Sequence, residues 1–183
     1  MSWYEKLKTY FPVSEMKSKE QLETLLTEKG ELYVKNEGEY HIVLYADFSS
    51  FLFVDFLLVS RESRGKGIGH QVMEKLKAKN KPIILEVEPI NKEDQDTEKR
   101  LRFYKREGFK HALPIMYQFQ SLVVNEETEM EILYWADDEI NEMMIYENMK
   151  KVYNQIHAYK AEELYGYPPK QVSEVIRFEK NRE

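Results

Sequence analysis

Apolar and polar positions divide the chain into strands and helices before any motif is considered. Leu22, Leu25 and Leu26 recur on one face of residues 14–29, with Ser14 or Ser18 placed to cap and Gly30 to stop. That pattern predicts a helix. Three strand-like runs follow, Leu32–Lys35, Tyr40–Ala46 and Phe51–Val59. They are rich in branched and aromatic residues and separated by the turn sequences Asn36–Glu39 and Asp47–Ser50. After Val59 the chain becomes polar and glycine-rich to Gly69. A helix over about Ile68–Lys79 presents Val72, Met73 and Leu76, and Asn80-Lys81-Pro82 stops it. Ile83–Val87 reads as a strand closed by Pro89, and 91–96 as a charged loop. A helix from Thr97 to Glu107 ends at Gly108. Two more strands are expected near Ile115–Val123 and Met130–Trp135. The last third changes character: from a cap at Asp137 or Asp138, one long helix is expected to run to about Leu164, before Tyr167-Pro168-Pro169.

The strand–helix–strand unit in the middle requires a parallel crossover, whereas the short turns on either side make antiparallel hairpins. The expected fold is therefore α/β, a mixed sheet with helices on its faces. Composition narrows the chemistry. The 183 residues contain no cysteine, which excludes disulfides, zinc-thiolate sites and a thiol nucleophile. A net charge of -6 argues against nucleic acid as a partner and is compatible with cationic substrates. Phe51–Val59 is too short to span a bilayer and is broken by Asp55. The opening residues lack the apolar core of a signal peptide. A cytoplasmic chain without a membrane partner is expected.

The run Arg64-Gly65-Lys66-Gly67-Ile68-Gly69 carries the chemistry. A strand that ends in alternating glycines and opens a helix aims backbone N–H groups and the helix dipole at an anion. Arg64 and Lys66 add positive charge, so the ligand class is a phosphate or pyrophosphate. The Walker loop fails because Ile68 follows Gly67. The dinucleotide fingerprint fails because the third glycine comes one residue early.

The run instead matches the Arg/Gln-x-x-Gly-x-Gly/Ala motif of the GNAT superfamily (Gcn5-related N-acetyltransferases). Leu57-Leu58-Val59 resembles that family's fourth strand. Phe103-Tyr104-Lys105-Arg106-Glu107-Gly108-Phe109 resembles its second signature, and both occur in the family's order. The resemblance covers roughly residues 14–135. It implies a GNAT-like acyl-CoA N-acyltransferase fold over residues 1–136, with splayed central parallel strands. Residues 137–183 would then be a helical extension packed on it. It further implies direct acetyl transfer from acetyl-CoA to an amine, without a metal. The pyrophosphate would sit on the N–H groups of Arg64, Gly65, Lys66, Gly67, Ile68 and Gly69, and the pantetheine arm beside Leu57, Leu58 and Val59. The Leu57 N–H would polarise the thioester carbonyl, and Tyr104 would protonate the leaving thiolate. A catalytically silent CoA-binding or protein-interaction module fits the same residues.

Asp55 stands near the position where some family members carry an acid and is a candidate base. By strand alternation it should share a face with Phe53, Leu57 and Val59. Glu86 and Glu88 share a face of the next strand and suit a cationic substrate. Two positions depart from the family pattern. Thr97 stands where an asparagine is frequent, and Arg100, where a small residue is common, either crowds the cofactor arm or reaches a phosphate. Only one helix is legible before the first strand, where the family usually has two and where its acceptor site is normally shaped. His70 is expected to face solvent, and His41, His111 and His157 receive no role. In the last third, Ile140, Met143, Met149, Val152, Ile156 and Tyr159 form a stripe. It suits a face that covers the sheet, a homodimer surface or a lid.

Overall fold

The computed structural model describes residues 1–182. Glu183, the last residue of the tail expected to fray, lies outside the described residues. In chain order the elements are α1 (Trp3–Tyr10), α2 (Lys19–Glu28), β1 (Tyr33–Glu37), β2 (His41–Asp47), β3 (Leu52–Val59), α3 (Ile68–Lys77), β4 (Ile83–Val87) and α4 (Gln95–Arg106). There follow β5 (Lys110–His111), β6 (Ile115–Ser121), β7 (Glu126–Trp135), α5 (Glu142–Val152), α6 (Ala161–Tyr165), α7 (Val172–Val175) and β8 (Ile176–Phe178). The strands form one sheet in the order β1-β2-β3-β4-β7-β6-β8, with β5 also paired to β7. β3 and β4 are parallel, joined by the crossover through α3, and the other pairs are antiparallel.

Each face of the sheet carries its own apolar layer. Leu7 of α1, Leu22 and Leu25 of α2, and Ile145, Met149 and Val152 of α5 pack with Phe53, Phe56 and Ile84 on one face. Val72, Met73 and Leu76 of α3 and Tyr104 of α4 pack with Leu52, Val54, Ile83 and Leu85 on the other. Consecutive strand residues thus alternate between two buried layers, which explains why β3 and β4 are apolar at every position but Asp55 and Glu86.

The expected helix over 14–29 is shorter. Ser18 caps α2 by accepting from Gln21 N, and residues 13–15 form a separate 3-10 turn. A helix that was not expected, α1, precedes it, capped by Ser2. The single long C-terminal helix is also corrected. Asn141, not Asp137 or Asp138, caps α5, and α5 passes into a π-helical turn over Tyr153–His157. Lys160 then takes a left-handed conformation, φ 50°, and ends the run before α6. Ile145, Met149, Val152 and Ile156 are fully buried, so the stripe covers the sheet, while Met143 and Met144 stay exposed. β8 continues the sheet from this last third by pairing with β6. Among the described residues no helix is long and apolar enough to cross a membrane.

Candidate active site

The two parallel strands part company in mid-sheet. Their register covers only Leu52–Val54 against Ile83–Leu85, although β3 continues to Val59 and β4 to Val87. A cleft of about 680 Å³ occupies the gap and reaches both layers. A β-bulge prepares β3 for it. Pairing with β2 steps from Tyr45↔Val54 to Leu44↔Phe56, which leaves Asp55 as the extra residue.

The bulge reverses the strand's alternation. Phe53 and Phe56 both belong to the α1/α2 layer, and Leu57 belongs to the α3/α4 layer. The expectation that Asp55 shares a face with Leu57 and Val59 is therefore corrected. Asp55 turns with Phe53 and Phe56 toward α2, where it meets Lys17 and Tyr33. Backbone directions reverse as well. Leu52 N donates to Pro82 O on the β4 side, whereas Ser60 N, an even number of residues later, donates to Tyr40 O on the β2 side. Counting back from Ser60 by alternation, the N–H groups of Leu57 and Val59 face the open gap.

The glycine loop lies at the mouth of this gap. Gly65 and Gly67 have φ of 82° and 77°, and a Cβ on either would meet nothing within 4 Å. Their glycines are thus required by backbone conformation alone. Gly69 is required by space, because a Cβ there would stand 3.0 Å from the Phe103 ring. Gly67 caps α3 without any side-chain acceptor, and the first turn holds no acidic residue. The N–H groups of Ile68, Gly69 and His70 consequently have no acceptor within the helix. Arg64, Lys99, Arg102 and Arg106 line the same end of the cleft. Tyr104 is 6% exposed and lines the cleft from the α3/α4 side, and burial pushes its hydroxyl up to about 12.

The opposite end is a chamber of side chains drawn from distant segments. Lys17 Nζ lies 2.8 Å from both oxygens of Asp55, and the Tyr33 hydroxyl donates to Asp55 Oδ2 at 2.7 Å. The lysine and aspartate side chains are 5% and 4% exposed. Glu15, Glu86 and Glu88 also line the chamber, with Phe11, Phe56 and Phe119 as walls. Burial and the neighbouring Glu88 push Glu15 up to about 9, so it holds its proton at neutral pH. Glu86 Oε1 lies 2.7 Å from His157 Nε2, within hydrogen-bond distance.

Arg100 lines the cleft, with its guanidinium 5.7 Å from the ring centres of both Tyr10 and Phe11 at the end of α1. The Arg64 guanidinium of the glycine loop lies 5.4 Å from the same Tyr10 ring. Thr97 is 2% exposed and turned inward, donating to Asp94 O at 2.7 Å and accepting from Asn91 N. His70 is largely exposed, as expected, but it bonds Glu107 at 2.9 Å. His70, Glu74 and Glu107 bring potential ligand atoms within 4.8 Å of one another. Lys77 already supplies a cation there, 3.5 Å from the Glu107 carboxylate. Tyr10, Glu15, Lys17 and His157 are site residues that sequence reasoning missed. A signal existed for the first of them, since Trp3, Tyr4 and Leu7 keep helical spacing. None existed for His157, whose partner is 71 residues away.

Comparison with known proteins places this arrangement. A family model described as an acetyltransferase (GNAT) domain matches residues 24–111. The Bacillus subtilis (strain 168) protein named "Putative acetyltransferase YjbC" is 53% identical over 176 residues, covering 96% of this chain and 92% of its own. A solved structure titled "Putative acetyltransferase from GNAT family from Bacteroides thetaiotaomicron" shares the fold, with a TM-score of 0.68 at 23% identity. It covers 82% of this chain and 87% of that one.

Proposed function

The chain belongs to the GNAT family of acetyltransferases, and from that premise we propose that it moves an acetyl group from acetyl-CoA to a primary amine by direct attack in a ternary complex. One observation carries the reading. A single cleft joins an anion-binding helix start, at Gly67–Gly69, to an acidic chamber through a gap between two parallel strands. The first end suits a pyrophosphate, the second suits an amine that arrives as a cation, and the gap is where the two would meet.

In this reading the loop from Arg64 to Gly69 holds the pyrophosphate, and the backbone of Leu57, Leu58 and Val59 receives the pantetheine arm like an added strand. The Leu57 N–H donates to the thioester oxygen, where negative charge develops during attack. Tyr104, protonated across the working pH range, donates to the departing sulfur. The amine is itself the nucleophile, so the chain needs no cysteine. Asp55, tied to Lys17 and Tyr33, sets the charge and shape of the chamber beside the reacting centre.

Calorimetric titration of acetyl-CoA tests the first half of this reading. Thiol release in the presence of alkylamines, polyamines and peptides with free N-terminal or lysyl amines tests the second. Micromolar-range binding followed by amine-dependent thiol release is expected. Absence of acetyl-CoA binding by the wild type would overturn the reading.

A further inference from the structure

Two cations are withdrawn from solvent inside the cleft, and only one of them has a counterion. Lys17 is held by both oxygens of Asp55. Arg100, half-buried on α4, lines the same cleft. Its polar neighbours are Tyr10, Glu15 and Tyr104. Among the described residues it forms no ion pair, whereas Arg64 is paired with Asp96 and Arg102 with Glu98.

Aromatic rings hold the Arg100 guanidinium in place. Tyr10 and Phe11 lie at 5.7 Å from it. Phe11 meets Phe56 edge-on at 5.3 Å between centres, and Lys17 Nζ lies 5.4 Å from the Phe56 ring. One aromatic wall thus carries both cations and joins Arg100 to the acidic chamber. A cation–π contact balances part of the charge. It supplies no oxygen to the N–H fork, whose geometry matches a carboxylate.

Three molecules or groups could bring an anion into this cleft: the cofactor's phosphates, the acyl group and the acceptor. The phosphates have their own end, at the start of α3, where Arg64, Lys99, Arg102 and Arg106 gather. Arg100 turns instead to Phe11 and Glu15, on the chamber side. A carboxylated acyl group would add negative charge to a chamber already lined by Glu15, Glu86 and Glu88. An acceptor that carries both signs leaves the balance unchanged, its ammonium toward the acids and its carboxylate toward Arg100. Arg100 stands one helical turn before Tyr104, about 6 Å of rise. That separation fits an amine and a carboxylate joined by a short carbon spacer.

Resting on the acetyl-transfer reading, we propose that Arg100 binds a carboxylate of the acceptor, so that the acceptor is an amino acid rather than a simple alkylamine or a polyamine. The guanidinium fork takes both carboxylate oxygens. The amine is thereby turned to the gap between β3 and β4, where the thioester would lie.

The test reads CoA release by the full-length protein with acetyl-CoA and a panel of L-amino acids and β-alanine, each set against its own carboxamide. The carboxamide keeps the amine and the side chain and removes the negative charge. Its amine is also the less basic of the two, so a preference for the acid cannot come from amine ionisation. For the best acceptor, kcat/KM is expected to favour the acid about 100-fold. Arg100→Met should lower the acid about 100-fold and the carboxamide less than about threefold, with acetyl-CoA affinity within about twofold by calorimetry. Arg100→Lys keeps the charge without the fork and should retain a preference of about tenfold. A wild type that acetylates carboxamides or alkylamines as well as it does the acids would overturn the proposal. So would an Arg100→Met protein that keeps the preference, or one whose acetyl-CoA affinity falls beyond that margin, which would assign Arg100 to the cofactor. Faster, Arg100-dependent transfer from succinyl-CoA to ethylamine would place the carboxylate on the acyl group and overturn it too. A wild type that releases CoA with no amine of any kind would overturn the acetyl-transfer reading itself, which separates the two failures.

Discussion

The two ends of the cleft are built from different materials. The glycine-loop end is mostly backbone: N–H groups at the start of α3, two left-handed glycines, and a third glycine pressed against Phe103. The chamber end is almost entirely side chains, contributed by α1, the turn before α2, β3, β4, α4 and the segment after α5. A backbone site depends on chain conformation and is little altered by side-chain substitution. A side-chain site can be rebuilt residue by residue without disturbing the strands that carry it. In the proposed reading, cofactor binding rests on main-chain geometry and acceptor choice on buried charge.

The largest expected effect tests the chamber. Lys17→Met leaves Asp55 buried without its cation, and unfolding in urea should show a loss of about 3–5 kcal/mol. The double variant Lys17→Met/Asp55→Asn should regain more than half of that, because no unpaired charge remains. At the other end, Gly67→Glu forces a left-handed φ on a residue with a side chain and brings a negative charge to the anion site. Calorimetry should show acetyl-CoA binding weakened about 100-fold or more, with the far-ultraviolet spectrum unchanged. If Gly67→Glu binds normally, the backbone end is not the cofactor site and the contrast fails.

Tyr104→Phe addresses the junction between the two ends. It should lower kcat about 10- to 100-fold while leaving acetyl-CoA affinity within about twofold, as measured by steady-state kinetics and calorimetry. The smallest effect concerns Glu15. Its pKa in the folded chain, about 9, lies above the ordinary carboxylate range. The folded state therefore holds this proton more tightly than the unfolded chain. That contribution to stability is complete below the ordinary carboxylate range and is lost as pH rises toward 9. Glu15→Gln, neutral throughout, escapes the loss. Its Tm advantage over the wild type should widen by a few degrees between about pH 5 and pH 9.

The same contrast explains what could be read from the sequence. Glycine spacing records backbone conformation directly, so Gly65, Gly67 and Gly69 were legible, as were β2, β3 and β4 to within a residue or two. The chamber was not, because Glu15 and Lys17 sit in an irregular turn and His157 meets Glu86 only after the whole sheet has formed. Helix α1 has helical spacing but only one fully buried residue, Leu7, which makes a weak periodic signal. The break at Lys160 has no glycine or proline to announce it; packing of the π-helical turn against α2 overrides local preference. Alternation puts Asp55 with Phe53, as found, but also with Leu57 and Val59, because the count runs through a residue that has no partner.

That extra residue makes β3 a strand read in two frames. Up to Val54 its even-numbered amides point to β4; from Leu57 onward the odd-numbered ones do. Deleting Asp55 would straighten the ladder and join the frames, yet Phe56 and Leu57 would keep their present faces and amide directions, because alternation from Val54 would then run through them without a break. Such a chain would keep the Leu57 N–H at the gap and lose only the carboxylate that Lys17 and Tyr33 hold. The extra residue therefore furnishes the chamber: it adds a charged side chain to an apolar layer without taking a rung of the ladder.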